Sequence, residues 1–184
     1  MSKRSFLKEF IRENKTVGSL TPSSRYLASK MLESIDYSNI NVIVELGPGT
    51  GVFTRRIAKN LPENVFLLVF ELNEEFYLQL NEEFNQPNVV IIHDSAEQIL
   101  KYLKEFKFEN ADIVISSLPL ANFDEDLRSL LLNKIYESLN EEGKFIQFQY
   151  SLQSKKALKS LFQEVKIGFT ALNIPPAFVY TCLK

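Results

Sequence analysis

At 184 residues the chain is long enough for one α/β core and short of two ordinary domains, so a single domain over 1–184 is expected. Hydrophobic residues at 45% and charged residues at 24% fit a globular chain and exclude extended disorder, and a net charge of -2 gives no general reason to bind nucleic acid. One cysteine, Cys182, and one histidine, His93, exclude an internal disulfide and the cysteine-rich zinc patterns, so no metal is expected. The longest apolar runs, such as 65–70 and 89–92, fall far below the roughly 20 residues that cross a bilayer. No secretory signal is read, and the expected location is the cytoplasm.

Helices are expected through residues 1–36. Phe6, Leu7, Phe10 and Ile11 fall on one side of the first, flanked by Lys3, Arg4, Lys8, Arg12 and Lys15. Such a stripe either docks on the protein's own core or lies on an anionic membrane surface. Thr21-Pro22 offers a hydroxyl cap and a first-turn proline for the next helix, which runs to about Ile35. Ser24 and Tyr26 in its opening either belong to that capping segment or line the mouth of a site.

The stretch Asn41 to Gly51, NVIVELGPGTG, organises the rest of the chain. Val42, Ile43, Val44 and Leu46 make an apolar, β-branched run suited to a strand buried on both faces. Gly47, Gly49 and Gly51 permit positive φ and close approach of a ligand, and the helix at 54–61 then presents its free N–H groups. Strands at 65–70, 89–92, 111–116 and 144–150 alternate with helices at 73–84, 97–106 and 124–139, with a turn at Glu142-Gly143. A helix at 152–162 and strands at 165–171 and 177–183 close the chain. Ligands in such an architecture sit beyond the carboxyl ends of the strands, near the switch between strands one and four. The loop of Ser117, Leu118, Pro119 and Leu120 should therefore meet a substrate. His93 is either a strand-end residue or a functional group.

The spacing E-x-G-x-G-x-G places Val52 where a dinucleotide fingerprint has its third glycine. It resembles instead the first motif of class I S-adenosylmethionine-dependent methyltransferases. That resemblance implies an α/β, Rossmann-like fold with a seven-stranded, mostly parallel sheet in the order 3-2-1-4-5-7-6, the last strand antiparallel and helices on both faces. It implies S-adenosyl-L-methionine as cofactor, with Glu45 near its amino group, Gly47, Gly49 and Gly51 around its methionine end, and Glu71 on the ribose hydroxyls. Asp94 would meet the adenine amino group, with Leu72, Ser95, Ala96 and Ser117 beside these. Asp94 also suits the N-cap of the helix at 97–106, and a nucleotide-sugar or nicotinamide site remains the other reading of the glycine turn.

Longer stretches, TPSSRYLASKM, VELGPGTGVFT, FELN, SSLPL, GKFIQFQY and NIPPAFVY, resemble the bacterial phospholipid N-methyltransferases that act on phosphatidylethanolamine. This resemblance implies a phospholipid amine as substrate and a peripheral enzyme on the inner face of the membrane, with Phe6, Leu7, Phe10 and Ile11 in the interface. The family is similar in turn to the ribosomal RNA adenine dimethylases, whose Asn-Leu-Pro-Tyr loop corresponds to Ser117 to Leu120. Asparagine and aromatic are both missing here, as is the appended basic domain those enzymes lead one to expect, which disfavours nucleic acid. No dedicated base stands out. Tyr26, His93 and Tyr150 are the candidates for holding or relaying the acceptor's proton. The competing functions are methylation of a soluble small molecule or of RNA, and a non-enzymatic module that binds nucleotide or protein.

Overall fold

The computed structural model describes Leu7 and residues 24–184. Phe6, Phe10, Ile11 and the Thr21-Pro22 cap lie outside the described residues. The chain alternates helices and strands: α1 (Arg25–Leu32), β1 (Val42–Leu46), α2 (Val52–Asn60), β2 (Phe66–Phe70), α3 (Glu74–Glu83) and β3 (Val89–Ile92). It continues through α4 (Ile99–Glu105), β4 (Ala111–Ser116), α5 (Glu125–Ser138), β5 (Leu139–Gln149), α6 (Lys155–Leu161), β6 (Glu164–Thr170) and β7 (Ala177–Leu183). The strands form one seven-stranded sheet in the order β3-β2-β1-β4-β5-β7-β6. Only β7 runs against its neighbours, as the methyltransferase resemblance implies.

The centre of the sheet follows directly from composition. All five residues of β1 are buried, because helices cover both faces and every side chain meets apolar neighbours. Val42, Val44 and Leu46 pack into one core with residues of α4, α5 and α6. Ile43 packs into a second core, on the opposite face, with Leu27, Phe53 and Ile57 of α1 and α2. Each such side chain, fully withdrawn from water, contributes about 1.5 to 3 kcal/mol.

Several local expectations shift. The first described helix starts at Arg25, and its cap is Ser24, whose hydroxyl accepts from the Leu27 N–H. Ser24 is thus used by the helix rather than held out toward a substrate. The segment expected as one helix from 97 to 106 is a 3-10 turn at Ala96–Gln98 followed by α4. Its cap is Ser95, and Asp94 instead accepts from the Ser95 N–H at 2.8 Å. β5 starts at Leu139, earlier than expected, but the Glu142-Gly143 turn survives inside it. Leu139 pairs with Ala111 and Lys144 with Ile113, so 140–143 bulge out of the ladder, with Glu142 at a φ of 64°.

Leu7 overturns part of the membrane reading. It is 1% exposed and packs in the core with α4, α5 and α6, so its side chain is not free to enter a lipid interface.

Candidate active site

The glycine turn that follows β1 meets the carboxyl ends of β2 and β4. Gly47, Gly49 and Gly51 all have positive φ, at 69°, 54° and 79°. The turn is tied to the sheet by the Gly47 N–H on the Phe70 carbonyl at 2.9 Å, and closed on itself by the Gly51 N–H on Pro48. Arg55, in α2, holds it from outside, donating to the Thr50 carbonyl at 2.7 Å and to Glu83 at 2.5 Å. The glycines divide by surroundings. A Cβ at Gly51 would sit 2.5 Å from Leu80 Cδ2 and one at Gly47 2.9 Å from Leu118 Cδ2, whereas one at Gly49 would meet nothing within 4 Å. Gly49 therefore faces open space, where a ligand can approach the backbone.

Two acids flank that opening. Glu71, just beyond β2, accepts from the Gly49 N–H through Oε2 at 3.0 Å and from the Asn73 N–H through Oε1 at 2.8 Å. It splints the turn to β2. Burial pushes its carboxyl up, against the lowering pull of those backbone donors. Glu45 has no comparable partners. It is fully buried in β1, between Val69 and Ile115 in register, and neither carboxylate oxygen completes a hydrogen bond. Desolvation raises its pKa to about 8, Thr54 opposes part of that shift, and the nearby Glu71 charge adds to it. The Thr54 hydroxyl also lacks a partner of good geometry, so the contact is electrostatic proximity rather than a formed bond. A buried carboxyl without donors costs stability. A cationic ligand group would supply what it lacks.

The structure brings together Glu45, the three glycines, Glu71 and Leu72, with Asp94 beyond β3 and Ser117 beyond β4. Asp94 accepts from the Tyr102 hydroxyl at 3.3 Å as well as from Ser95. Ser95 and Ala96 are expected in the same rim, yet both are buried, and the Ser95 hydroxyl is spent on Glu97. Ser117 donates its N–H to Leu46, and its hydroxyl is buried without a partner. Leu118 covers Gly47, and Leu120 is wholly buried in the core, leaving half-buried Pro119 as the exposed part of that loop.

The three candidates for proton handling do not share one site. His93 follows β3, stacks on Tyr77 at 4.7 Å, and has Nε2 3.2 Å from the Leu72 carbonyl, a donor bond in the Nε2–H tautomer. It is four strand spacings from Tyr150 after β5, roughly 19 Å. Tyr26 is 43% exposed and receives a hydrogen bond from Arg25. Tyr150 is half-buried, and burial pushes its phenol above the usual value, with Asn173 opposing. It stays protonated at neutral pH, a hydrogen-bonding group and not a base.

Sequence reasoning missed Gln147, Gln149 and Asn173. The amides of both glutamines donate to the Leu118 carbonyl, at 3.1 and 3.2 Å, and Gln149 also accepts from the Ala121 N–H. They fix the loop after β4. The signal was present in QFQY, where two polar side chains alternate onto an otherwise apolar face of a central strand. Asn173 is 3% exposed and joins Ser24 to the β6–β7 turn.

A methyltransferase domain family matches residues 43–143. Across nearly its whole length the chain is similar to the ornithine lipid N-methyltransferase of Singulisphaera acidiphila, at 31% identity over 96% of this chain and 93% of that one. The chain belongs to the class I S-adenosylmethionine-dependent methyltransferases. The ribosomal RNA small subunit methyltransferase A of Mycoplasma capricolum is 27% identical over 83% of this chain, which spans only 53% of that enzyme. The fold matches 1,6-didemethyltoxoflavin-N1-methyltransferase of Burkholderia thailandensis, solved with S-adenosylhomocysteine, with a TM-score of 0.69 at 13% identity over 97% of this chain and 87% of that one. The residues present fit the methyltransferase cofactor, S-adenosylmethionine: an unpartnered buried carboxyl awaits a cation, and a side-chain-free opening lies at Gly49. Among the described residues no cluster of three potential metal ligands occurs.

Proposed function

We propose that the chain methylates the amine of a lipid head group, phosphatidylethanolamine or a related aminolipid, at a membrane surface. The observation that carries this reading is the near full-length similarity to an enzyme named for lipid N-methylation. When bound, S-adenosylmethionine would supply a sulfonium methyl group whose carbon an amine lone pair can attack, with the neutral thioether of S-adenosylhomocysteine as leaving group. Glu45 would hold the cofactor's ammonium, Glu71 its ribose hydroxyls, and Asp94 the adenine edge. The enzyme would work from the cytoplasmic side as a peripheral protein.

What the chain contributes is then placement and desolvation. The acceptor end, over β4 and β5, offers the Ser117 hydroxyl, Pro119 and the Tyr150 phenol. A lysine-like amine exposes its lone pair at neutral pH at a cost of roughly 4 to 5 kcal/mol. A water-poor setting reduces that cost by disfavouring the charged amine, so the proton leaves to solvent before transfer without a dedicated base.

The test is incubation with methyl-labelled S-adenosylmethionine and, in parallel, vesicles of phosphatidylethanolamine, vesicles of an ornithine lipid, and ribosomal RNA. The expected result is label in a lipid fraction with one or more added methyl groups. Label confined to RNA, or none in lipid, would overturn the assignment.

A further inference from the structure

Large apolar side chains left in solvent are unevenly placed. The two most exposed among the described residues, Leu172 at 63% and Ile174 at 83%, both lie in the turn between β6 and β7, with Tyr26 at 43%, Leu152 at 44% and Phe169 of β6 at 55%; Leu78, at 57%, stands on α3. β6 runs parallel to β5, so this turn emerges at the carboxyl end of the sheet, where the glycine turn and the Ser117 loop also lie. The exposure is built in. Asn173, between the two aliphatic residues, is buried, accepts from the Ser24 N–H at 2.9 Å and donates to the Pro175 carbonyl at 2.7 Å. With the middle residue fastened inward, its neighbours are held outward.

Charge follows the same distribution. From Tyr150 to the C-terminus the sequence has five lysines and one carboxylate, Glu164, in a chain whose net charge is -2. Glu164 is itself paired with Lys166 at 3.3 Å. Lys155 and Lys156 open α6 at this end of the sheet. Lys156 shares a groove with Glu125, while Lys155 and Arg25 have no carboxylate partner among the described residues. Arg25 lies over the Tyr26 ring at 4.9 Å. Asp124 caps α5 and Glu125 and Asp126 open it, at the same end of the sheet but after β4.

We propose that the β6–β7 tip, Leu172 and Ile174 flanked by Tyr26 and Leu152, seats the enzyme on an anionic lipid bilayer. The two aliphatic side chains enter the boundary between head groups and acyl chains, and Arg25 and Lys155 meet anionic head groups. The crevice then opens toward the membrane, and a head group reaches the Ser117 loop without leaving the bilayer. This rests on the lipid reading above. It assigns attachment to a different surface from the N-terminal stripe, whose Leu7 is in the core.

The experiment sediments the full chain with vesicles of phosphatidylcholine alone or mixed with phosphatidylglycerol, comparing wild type with the double variant Leu172→Ser, Ile174→Ser. Binding to the anionic vesicles should fall by about tenfold or more in the variant, with S-adenosylmethionine affinity and Tm in lipid-free buffer close to wild type. Ile174→Trp, at a position too exposed to disturb the core, should raise partition several-fold. Unchanged sedimentation of the double variant, or a wild-type dimer that the variant splits into monomers, would overturn the surface. Variant-sensitive vesicle binding without lipid methylation would support the surface while refuting the proposed reaction. Lipid methylation that the double variant leaves intact would do the reverse.

Discussion

Gly49→Asp is expected to weaken S-adenosylmethionine binding by more than about 100-fold while leaving the protein folded. The backbone there is left-handed, with φ at 54°, and aspartate is among the few side chains that tolerate that region, at a cost on the order of 1 kcal/mol. Its Cβ meets no atom within 4 Å, and its N–H still reaches Glu71. The new carboxylate takes up the open space beside the turn and adds a third acid near Glu45 and Glu71. Gly51→Ala gives the opposite pattern, because the added methyl runs into Leu80, the buried anchor of α3. That variant should lose on the order of 1 to 3 kcal/mol of stability through overpacking and left-handed strain. Calorimetric titration and thermal unfolding of the two proteins separate the roles. Retained cofactor binding by Gly49→Asp would mean that the ligand lies elsewhere.

The second large effect belongs to Glu45. Its folded pKa of about 8 stands above the ordinary 4.5, so between those values the folded state binds more protons than the unfolded chain. Stability of the ligand-free protein therefore falls as pH rises from about 4.5 to 8, approaching 1.4 kcal/mol per pH unit at the steepest. Glu71, shifted in the same direction, adds to the slope. Glu45→Gln removes the ionisation and should be more stable than wild type at pH 8 by a few kcal/mol. Its affinity for the cofactor should nonetheless drop by roughly 10- to 100-fold, the measure of a lost charged hydrogen bond. At pH 7 the wild-type carboxyl is mostly protonated, and the ammonium of the ligand draws it into the charged form. Binding should then release close to one proton, seen as a dependence of the calorimetric heat on buffer ionisation enthalpy. Equal proton release by wild type and Glu45→Gln would remove Glu45 from the contact.

Legibility in the sequence followed physical range. β1 and its turn were readable because a β-branched run buried on both faces and three glycines spaced by two are local constraints. Glu45 and Glu71 were singled out by the resemblance to the methyltransferase motif together with their places at the strand ends, and the structure adds that Glu71 splints Gly49 while Glu45 is left unpaired. Partners distant in sequence were not readable. Gln147 and Gln149 reach Leu118 across 29 and 31 positions, and Asn173 reaches Ser24 across 149. The amphipathic stripe at Phe6 to Ile11 was ambiguous in principle, since a helix docked on a core and one lying on a membrane need the same periodicity. Leu7 resolves to the core because it has an apolar partner surface to meet. His93 and Tyr150 looked equally eligible as proton carriers until strand order put them at separate ends of the crevice.

A crystal structure of the chain with S-adenosylhomocysteine tests the central claim most directly. The product analogue should span the opening at Gly49, its amino group within hydrogen-bonding distance of Glu45 and its ribose hydroxyls on the Glu71 carboxylate. A ligand seated away from both acids, or a crevice that stays closed at saturating ligand, would contradict it.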